Sequence, residues 1–356
     1  MTKSSFSAFV LGTAFAFWCQ TSAFAQDKNL HIYLAFGQSN MSGQATVTDA
    51  DRIQDPRFLV LRAANHSNQT VGEFYPAAPP MGHSASKVGI ADIFGRTMVA
   101  NLPDSITVAV ANIAIGGQSI DLFDKDRNTA YVQNAKAKND TWWIQYLNEY
   151  GGDAYKRIIE MGEVAKKKGV IKGILFHQGE ADYQMSDWPS RVKKVYEDII
   201  ADLGLDPEKV PILIGELATT AAGGDLGWRN TAVAETADLI PNGHLISAEG
   251  CPALKEPSYT LHFTREGYET FGKRYAEKML ELLNAAEPAP DMVQADSVVF
   301  DSLAADSGAI DAIPMVRSGS VQSRGARLVF DRNKQKVYLR VEKAGAVRMY
   351  EVSGSR

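Results

Sequence analysis

Four short segments of the sequence carry side chains that could act together on an acyl group. Residues 37–43 (GQSNMSG) place Ser39 among glycines, and residues 116–119 (GGQS) offer a Gly-Gly pair whose backbone N–H groups suit an oxyanion. Residues 177–182 (HQGEAD) supply an amide and two carboxylates, and residues 261–263 (LHF) supply a histidine. A nucleophile, oxyanion donors, an acid and a base are the groups that acyl transfer at a serine requires.

Each segment alone is as typical of an ordinary turn or loop as of a catalytic site. Ser39 is not in a Gly-x-Ser-x-Gly elbow, because Met41 stands where the second glycine would be. The segment also lacks the lysine of a phosphate-binding loop. The hypothesis therefore depends on the four segments meeting in space.

The surrounding sequence predicts elements that would bring them together. Short apolar runs predict buried strands, and longer runs with apolar residues near 3.6-residue spacing predict helices. The strands are expected at residues 31–36, 106–113, 173–176, 210–214 and 244–247, and the helices at 90–101, 154–168, 189–203, 230–239 and 265–285. Alternating strands and helices indicate a mostly parallel sheet covered on both faces, whose sites collect at the carboxyl ends of the strands.

Taken together, the four segments resemble the SGNH/GDSL hydrolase superfamily. More narrowly, they resemble its sialate O-acetylesterase-like branch, which includes the acetyl xylan esterases of carbohydrate esterase family 6. The similarity extends over about residues 30–285. The resemblance implies a flavodoxin-like, three-layer α/β/α fold with a mostly parallel central sheet. It also implies removal of O-acetyl groups from carbohydrate without a metal or other cofactor.

The resemblance also assigns roles to particular residues. Ser39 would be the nucleophile and His262 the general base, while the backbone N–H groups of Ser39 and Gly117 and the side chain of Gln178 would form the oxyanion hole. Many superfamily members have an aspartate three residues before the histidine. That position is Tyr259 here, and a phenol with a reference pKa of about 10 cannot replace a carboxylate at neutral pH.

The acid is therefore expected from the segment after residue 176. Because the family also allows the glutamate of His-Gln-Gly-Glu to supply it, Glu180 is the predicted acid and Asp182 the alternative. A Ser–His dyad held by a backbone carbonyl is the third possibility.

Aromatic residues at 142–150 bear on the substrate. Trp142 and Trp143 are candidate sugar-binding residues, although packing in the core explains such a cluster equally well. Acetylated plant polysaccharide, acetyl xylan above all, is the expected substrate. A sialate O-acetylesterase, a lipase-like esterase and a non-catalytic glycan-binding protein are the alternatives. The six histidines include no His-x-x-x-His pair, which disfavours a metallohydrolase.

The chain divides into parts of different charge. Residues 1–25 have Lys3, an apolar run and Ala-Phe-Ala, the pattern of a cleaved signal peptide, so we expect a secreted, cell-surface or periplasmic bacterial protein without a membrane span. An esterase domain is expected at 26–285 and a linker at 286–316. Residues 26–316 contain 26 basic and 39 acidic residues, a net charge of −13, which disfavours a nucleic-acid partner.

Residues 317–356 are predicted to form a small β-rich module. They contain 10 basic and 3 acidic residues and three runs of alternating polarity. Sorting machinery, an acidic glycan and the acidic main domain are the three candidate partners of this basic module.

Overall fold

A seven-stranded sheet forms the centre of the protein. The computed structural model describes residues 26–66, 68–286, 326–331, 336–343 and 346–351; the expected signal peptide and residues 287–316 of the expected linker lie outside them. The strand order is β3-β2-β4-β1-β5-β6-β7, and all neighbours are parallel except β2 and β3. The strands are β1 (Leu30–Gly37), β2 (Phe58–Leu61), β3 (Phe74–Pro76), β4 (Thr107–Ala114), β5 (Val170–His177), β6 (Ile212–Gly215) and β7 (Gly243–Ile246).

Helices cover both faces of this sheet. They are α1 (Ser39–Ser42), α2 (Ile90–Asn101), α3 (Asn128–Ala137), α4 (Ile144–Glu149), α5 (Ala154–Lys168), α6 (Trp188–Asp202), α7 (Asn230–Leu239) and α8 (Arg265–Ala286). One apolar core lies between the sheet and α3–α7, and a second lies between the sheet and α1, α2 and α8. The predicted three-layer α/β/α fold is confirmed.

Strand β1 shows why the central strands read as continuous apolar runs. Ile32, Leu34 and Phe36 pack into the first core, while Tyr33 and Ala35 pack into the second. A strand buried on both faces has no solvent side on which polar residues could alternate. The predicted strands were for this reason located within a few residues of their observed positions.

Besides the one-turn helix α1, four elements were not predicted. Strands β2 and β3 have only four and three residues, too few to show a period. Helices α3 and α4 occupy the insertion between β4 and β5, and α3 buries only Asn128 and Ala135. A helix with so narrow a buried face lacks the apolar stripe on which the prediction depends.

The C-terminal strands form a separate antiparallel sheet of order β10-β9-β8. Their bounds are β8 (Ala326–Asp331), β9 (Lys336–Lys343) and β10 (Ala346–Glu351). These strands agree with the three alternating runs of the sequence. The domain boundaries proposed above stay predictions.

The sheet topology determines where a site can form. The chain continues from β1 to β2 and β4 on one side of β1, and to β5, β6 and β7 on the other side. Beside such a switch point, the loops after neighbouring strands diverge and leave a crevice at the carboxyl edge. Ser39 follows β1 directly, so it lies at this crevice.

Candidate active site

The turn from β1 into α1 presents Ser39. Gly37 has φ +140°, and a Cβ at that position would lie 2.0 Å from the carbonyl oxygen of His177. Only glycine therefore permits this close approach of β1 to the end of β5. Gln38 N–H donates to the same carbonyl at 3.0 Å, which fixes the turn immediately before Ser39.

His262 lies against Ser39, as the sequence predicted. Its Nε2 is 2.8 Å from Ser39 Oγ. The loop carrying His262 is held by a backbone bond from Leu254 N–H to the carbonyl of His262 at 2.7 Å. Thr264 Oγ1 accepts from Gly267 N–H at 3.1 Å, which satisfies one free N–H at the start of α8.

Glu256, not Glu180, is the carboxylate on His262. Glu256 Oε1 is 2.8 Å from His262 Nδ1, and Glu256 Oε2 accepts from Leu261 N–H at 3.3 Å. An Nδ1–H bonded to this carboxylate leaves Nε2 unprotonated and able to accept the Ser39 proton. The predicted pairing of Glu180 with His262 is therefore wrong, and so are the Asp182 and backbone-carbonyl alternatives.

Glu180 instead supports the turn that carries Ser39. Its side chain is only 1% exposed, and Oε1 accepts from Asn40 Nδ2 at 2.7 Å. Asn40 Nδ2 also donates to the carbonyl of Leu261 at 3.0 Å, and Tyr268 Oη donates to Asn40 Oδ1 at 2.6 Å. Burial raises the pKa of Glu180 to about 7. Through Asn40, this carboxyl group connects the turn that carries Ser39 to Leu261, the residue before His262.

His177 is the other buried partner of Glu180. Its Nε2 donates to the carbonyl of Glu216 at 3.0 Å, and its Nδ1 is 3.7 Å from Glu180 Oε1. Complete burial lowers the pKa of His177 to about 4, so the imidazole is neutral at neutral pH. The histidine and glutamate of the His-Gln-Gly-Glu segment therefore belong to the interior.

The predicted oxyanion residues have two different environments. Ser39 and Gly117 line one cleft, and a Cβ on the neighbouring Gly116 would lie 3.4 Å from that of Ser39. As the first residue of α1, Ser39 has no intrahelical acceptor for its N–H. The backbone part of the predicted oxyanion hole therefore has a suitable location.

Gln178 is not among the residues that line this cleft. Its Nε2 donates to Asp182 Oδ2 at 2.6 Å and to the carbonyl of Gln118 at 3.2 Å. Its Oε1 accepts from Trp188 Nε1 at 2.5 Å. Because both ends of the amide already have protein partners and the residue is 1% exposed, the geometry does not support Gln178 as an oxyanion donor.

The two tryptophans predicted to bind sugar also have different environments. Trp142 is 57% exposed and lines the cleft. A Cβ added at Gly117 would lie 3.3 Å from ring carbon Cζ2 of Trp142, so the two residues are close neighbours. Trp143 is 1% exposed and packs against Tyr131 in the core, with ring centroids 5.7 Å apart. Trp143 therefore cannot touch a ligand in the cleft.

His83 adds a cleft residue that the sequence did not reveal. Its ring stacks on Tyr146 with centroids 4.3 Å apart, and both line the cleft, whose volume is about 370 Å³. His83 Nδ1 accepts from Ala85 N–H at 3.2 Å, so Nε2 carries the proton toward Ser42 Oγ at 3.1 Å. Burial lowers the pKa of His83 to about 4, which keeps this wall uncharged.

Among the described residues, one carboxylate group is close enough to hold a cation. It consists of Asp124, Asp126 and Asp198. Lys194 Nζ lies 3.1, 2.7 and 2.7 Å from their oxygens. Lys125 also pairs with Asp198 and Arg127 with Asp124, so three cations already offset the charge of this cluster. Over the same residues, no helix is long and apolar enough to cross a membrane.

The fold and the Ser–His–carboxylate arrangement define an SGNH-type hydrolase. The family model described as "SASA: Carbohydrate esterase, sialic acid-specific acetylesterase" matches residues 29–281, and the chain belongs to this family. The superfamily and its carbohydrate esterase branch, both expected from the sequence motifs, are confirmed.

The chain is similar to several solved structures, of which the first two below support the fold. A protein from Arabidopsis thaliana is 20% identical with a TM-score of 0.52, and the alignment covers 71% of this chain and 98% of that one. NanS is 15% identical with a TM-score of 0.53, covering 72% and 99%. A carbohydrate acetylesterase from Xanthomonas citri is 16% identical with a TM-score of 0.48, covering 88% and 63%.

Proposed function

We propose that the protein is a secreted serine O-acetylesterase that removes acetyl groups from plant polysaccharide, with acetylated xylan as the substrate. The observation that carries the proposal is the chain from Ser39 Oγ through His262 to Glu256, with 2.8 Å at each step, beside a cleft with aromatic walls. Family membership supports ester hydrolysis on carbohydrate.

The geometry suits a two-step acyl transfer. His262 Nε2 takes the Ser39 proton as Ser39 Oγ bonds to the acetyl carbonyl carbon, and the backbone N–H groups of Ser39 and Gly117 stabilise the oxyanion. When the bond to the sugar oxygen breaks, that oxygen takes the proton from His262. Water then attacks the acetyl-enzyme with His262 as base, releasing acetate and restoring Ser39. Glu256 stabilises the imidazolium formed in each step.

The charge of the cleft favours a neutral sugar. No lysine or arginine is among the described residues that line it, and the lowered pKa of His83 leaves that ring neutral. A sialic acid carries a carboxylate, and burying it without a cationic partner would be costly. The cleft therefore supports acetylated neutral polysaccharide over O-acetylated sialic acid.

O-acetylated sialic acid is nevertheless the second candidate substrate, because the family model is described as sialic acid-specific. Acetate release should be measured side by side from acetylated xylan, acetylated glucomannan and 9-O-acetyl sialic acid. Higher kcat/KM on the sialic acid ester would overturn the preference for neutral sugars. A preference for long-chain p-nitrophenyl esters over the acetate would instead favour a lipase-like esterase.

Ser39→Ala tests the chemistry itself. Loss of the nucleophile should lower kcat on p-nitrophenyl acetate by about 10⁵–10⁶-fold, while the melting temperature stays close to wild type. A variant that releases acetate at the normal rate would show that Ser39 is not the nucleophile. Wild-type protein without esterase activity would favour the glycan-binding alternative.

Secretion rests on the pattern of residues 1–25 and has its own test. Expression of the full chain in a bacterial host, followed by intact-mass measurement of the exported protein, should give a product beginning at Gln26. Retention of the full-length chain inside the cell would contradict the proposal without affecting the esterase assignment.

A further inference from the structure

The exposed aromatic side chains share one edge of the molecule. Among described residues, the large apolar side chains that are exposed include four aromatics, and each follows the carboxyl end of a different strand. Trp142 follows β4, Tyr183 follows β5, Trp228 follows β6 and Tyr259 follows β7. Their exposed fractions are 57%, 38%, 58% and 63%. Exposed aromatic rings at the edge that carries the proposed active site are candidates for contacts with its substrate.

Hydrogen bonds between loops bring three of the four together. Asp225 N–H donates to the carbonyl of Thr260 at 3.1 Å, and Thr260 N–H donates back to Asp225 Oδ2 at 2.7 Å. These bonds join the loop of Trp228 to the loop of Tyr259. Arg229 Nη2 donates to the carbonyl of Met185, which joins the loop of Trp228 to that of Tyr183.

Trp142 lies on the other side of the nucleophile. Its ring contacts the position of Gly117, after β4, whereas Ser39 follows β1. In the sheet, β1 separates β4 from β5 and β6. The three strand spacings from β4 to β6 correspond to about 14 Å. The aromatic edge thus extends on both sides of Ser39 and is wider than a single monosaccharide.

We propose that Trp142, Tyr183, Trp228 and Tyr259 form a track of stacking platforms for a neutral polysaccharide chain, with Ser39 at an acetylated unit along its length. The inference rests on the proposed esterase function and names the residues that would hold its polysaccharide substrate. Aromatic rings offer apolar faces that pair with the C–H faces of pyranose rings, while their polar tips remain hydrated. A repeating chain presents one such face after another.

The surface suits a hydrated polymer better than a lipid. Polar groups, including Gln184, Asp225 and Thr260, lie beside the aromatic residues in the same loops. The rings therefore stand apart instead of forming one apolar patch. A long acyl chain would need continuous apolar surface, because each buried CH₂ contributes only about 0.8 kcal/mol.

The test compares substrates of different length. Rates are measured on acetylated xylan, acetylated glucomannan, peracetylated xylose and p-nitrophenyl acetate, for wild type and for Trp228→Ala and Tyr183→Ala. Leu239→Ala is the matched control, because Leu239 is similarly exposed at 38% but ends α7, away from the carboxyl edge. Melting temperatures verify folding.

We expect each aromatic variant to lower kcat/KM on the better polymer relative to peracetylated xylose by about five- to tenfold, mainly through KM. Leu239→Ala should leave this ratio within about twofold of wild type. An unchanged ratio in both aromatic variants would overturn the track. So would a wild-type protein that hydrolyses peracetylated xylose as efficiently as either polymer.

The failure of the underlying function is distinguishable. If wild type releases no acetate from any of the four substrates, the esterase proposal fails and this inference fails with it. If wild type cleaves the small esters but neither polymer, serine ester hydrolysis stands, whereas the polysaccharide substrate and the track are both refuted. If wild type cleaves a polymer but both aromatic variants keep the wild-type ratio, the proposed function stands and only the track is refuted.

Discussion

Two segments each bring a glutamate close to His262, the proposed general base, and they differ in exposure, position and hydrogen bonding. Glu180 follows β5 directly, with a side chain 1% exposed between His177 and Asn40. Glu256 lies in the irregular loop before α8, with a side chain 26% exposed, on His262 Nδ1. Burial raises the pKa of Glu180 to about 7, which favours its protonated form.

The comparison shows that a motif dense in polar residues can hold other site residues in place without taking part in the reaction. An acid that stabilises an imidazolium must itself be ionised, and a partly hydrated loop makes ionisation cheaper than a dry interior. The buried segment of residues 177–182 instead helps to position His262, because Asn40 joins Glu180 to the carbonyl of Leu261 beside it. Three variants test this division of roles.

The first and largest expected effect is that of Glu256→Gln. The amide is neutral and could donate to Nδ1, which would hold the proton on Nε2 and prevent His262 from accepting the Ser39 proton. We expect kcat on p-nitrophenyl acetate to fall by about 10³–10⁴-fold with little change in melting temperature.

Glu180→Gln, assayed in parallel, is the internal comparison for this experiment. Near-normal turnover in Glu256→Gln, together with a loss of a thousandfold or more in Glu180→Gln, would restore the original assignment of the acid to Glu180. That result would contradict the hydrogen bonding described here.

The second effect concerns Gln178, in the buried segment. Gln178→Ala removes the partner of Trp188 Nε1 and a donor to both Asp182 and the carbonyl of Gln118, so three buried polar groups lose a hydrogen bond. Each unsatisfied group should cost about 1–3 kcal/mol of unfolding free energy. Because the amide is not part of the cleft lining, kcat should fall by less than about tenfold, against the 10²–10³ expected for an oxyanion donor.

Urea unfolding and initial rates on the same preparation separate the two roles of Gln178. A loss of kcat above a hundredfold with unchanged unfolding free energy would identify Gln178 as an oxyanion donor after all. Gln178→Glu is not a suitable substitute, because it would add a second charge beside Asp182.

The sequence allowed prediction of the five central strands and five main helices, because buried strands and amphipathic helices have distinct periods. The pair of Ser39 and His262 was predicted from the motifs and the family that they resemble. It did not reveal the acid, because the loop between Glu249 and His262 has no period and its contacts depend on tertiary folding. One signal was present: Glu256 is the single carboxylate between those two residues. The family spacing places the acid three residues before the histidine, at Tyr259. Glu256 lies three residues before that position, so this spacing could not reveal it.

The burial of Trp143 and Gln178 was equally inaccessible to sequence. Adjacent residues 142 and 143 have opposite exposures because the chain turns into α4 there, and no pattern in the sequence marks which ring faces the core. Gln178 differs from an oxyanion residue only through its contacts with Trp188, Asp182 and Gln118, all of which require the folded chain. Residue type constrained the candidates, and packing decided among them.

The smallest effect on turnover, and the sharpest test of the buried carboxyl group, is the pH dependence of stability in Glu180→Gln. The pKa of Glu180 is raised from 4.5 to about 7, so between these values the folded state keeps a proton that the unfolded state has lost. Wild type should therefore lose stability as pH rises through this range, by an amount on the order of 3 kcal/mol. Glutamine does not titrate. Its side-chain oxygen can still accept from Asn40, so the variant lacks this loss.

The difference in melting temperature between Glu180→Gln and wild type should consequently grow from pH 4.5 to pH 7 and level off above it, while kcat changes by less than about threefold. His177 and Asp182, the nearest titratable neighbours within the buried segment, are the same in both proteins and largely cancel in the difference. A difference that is flat with pH would mean that the pKa of Glu180 is not raised by folding, and Glu180 would not be a neutral supporting acid at neutral pH.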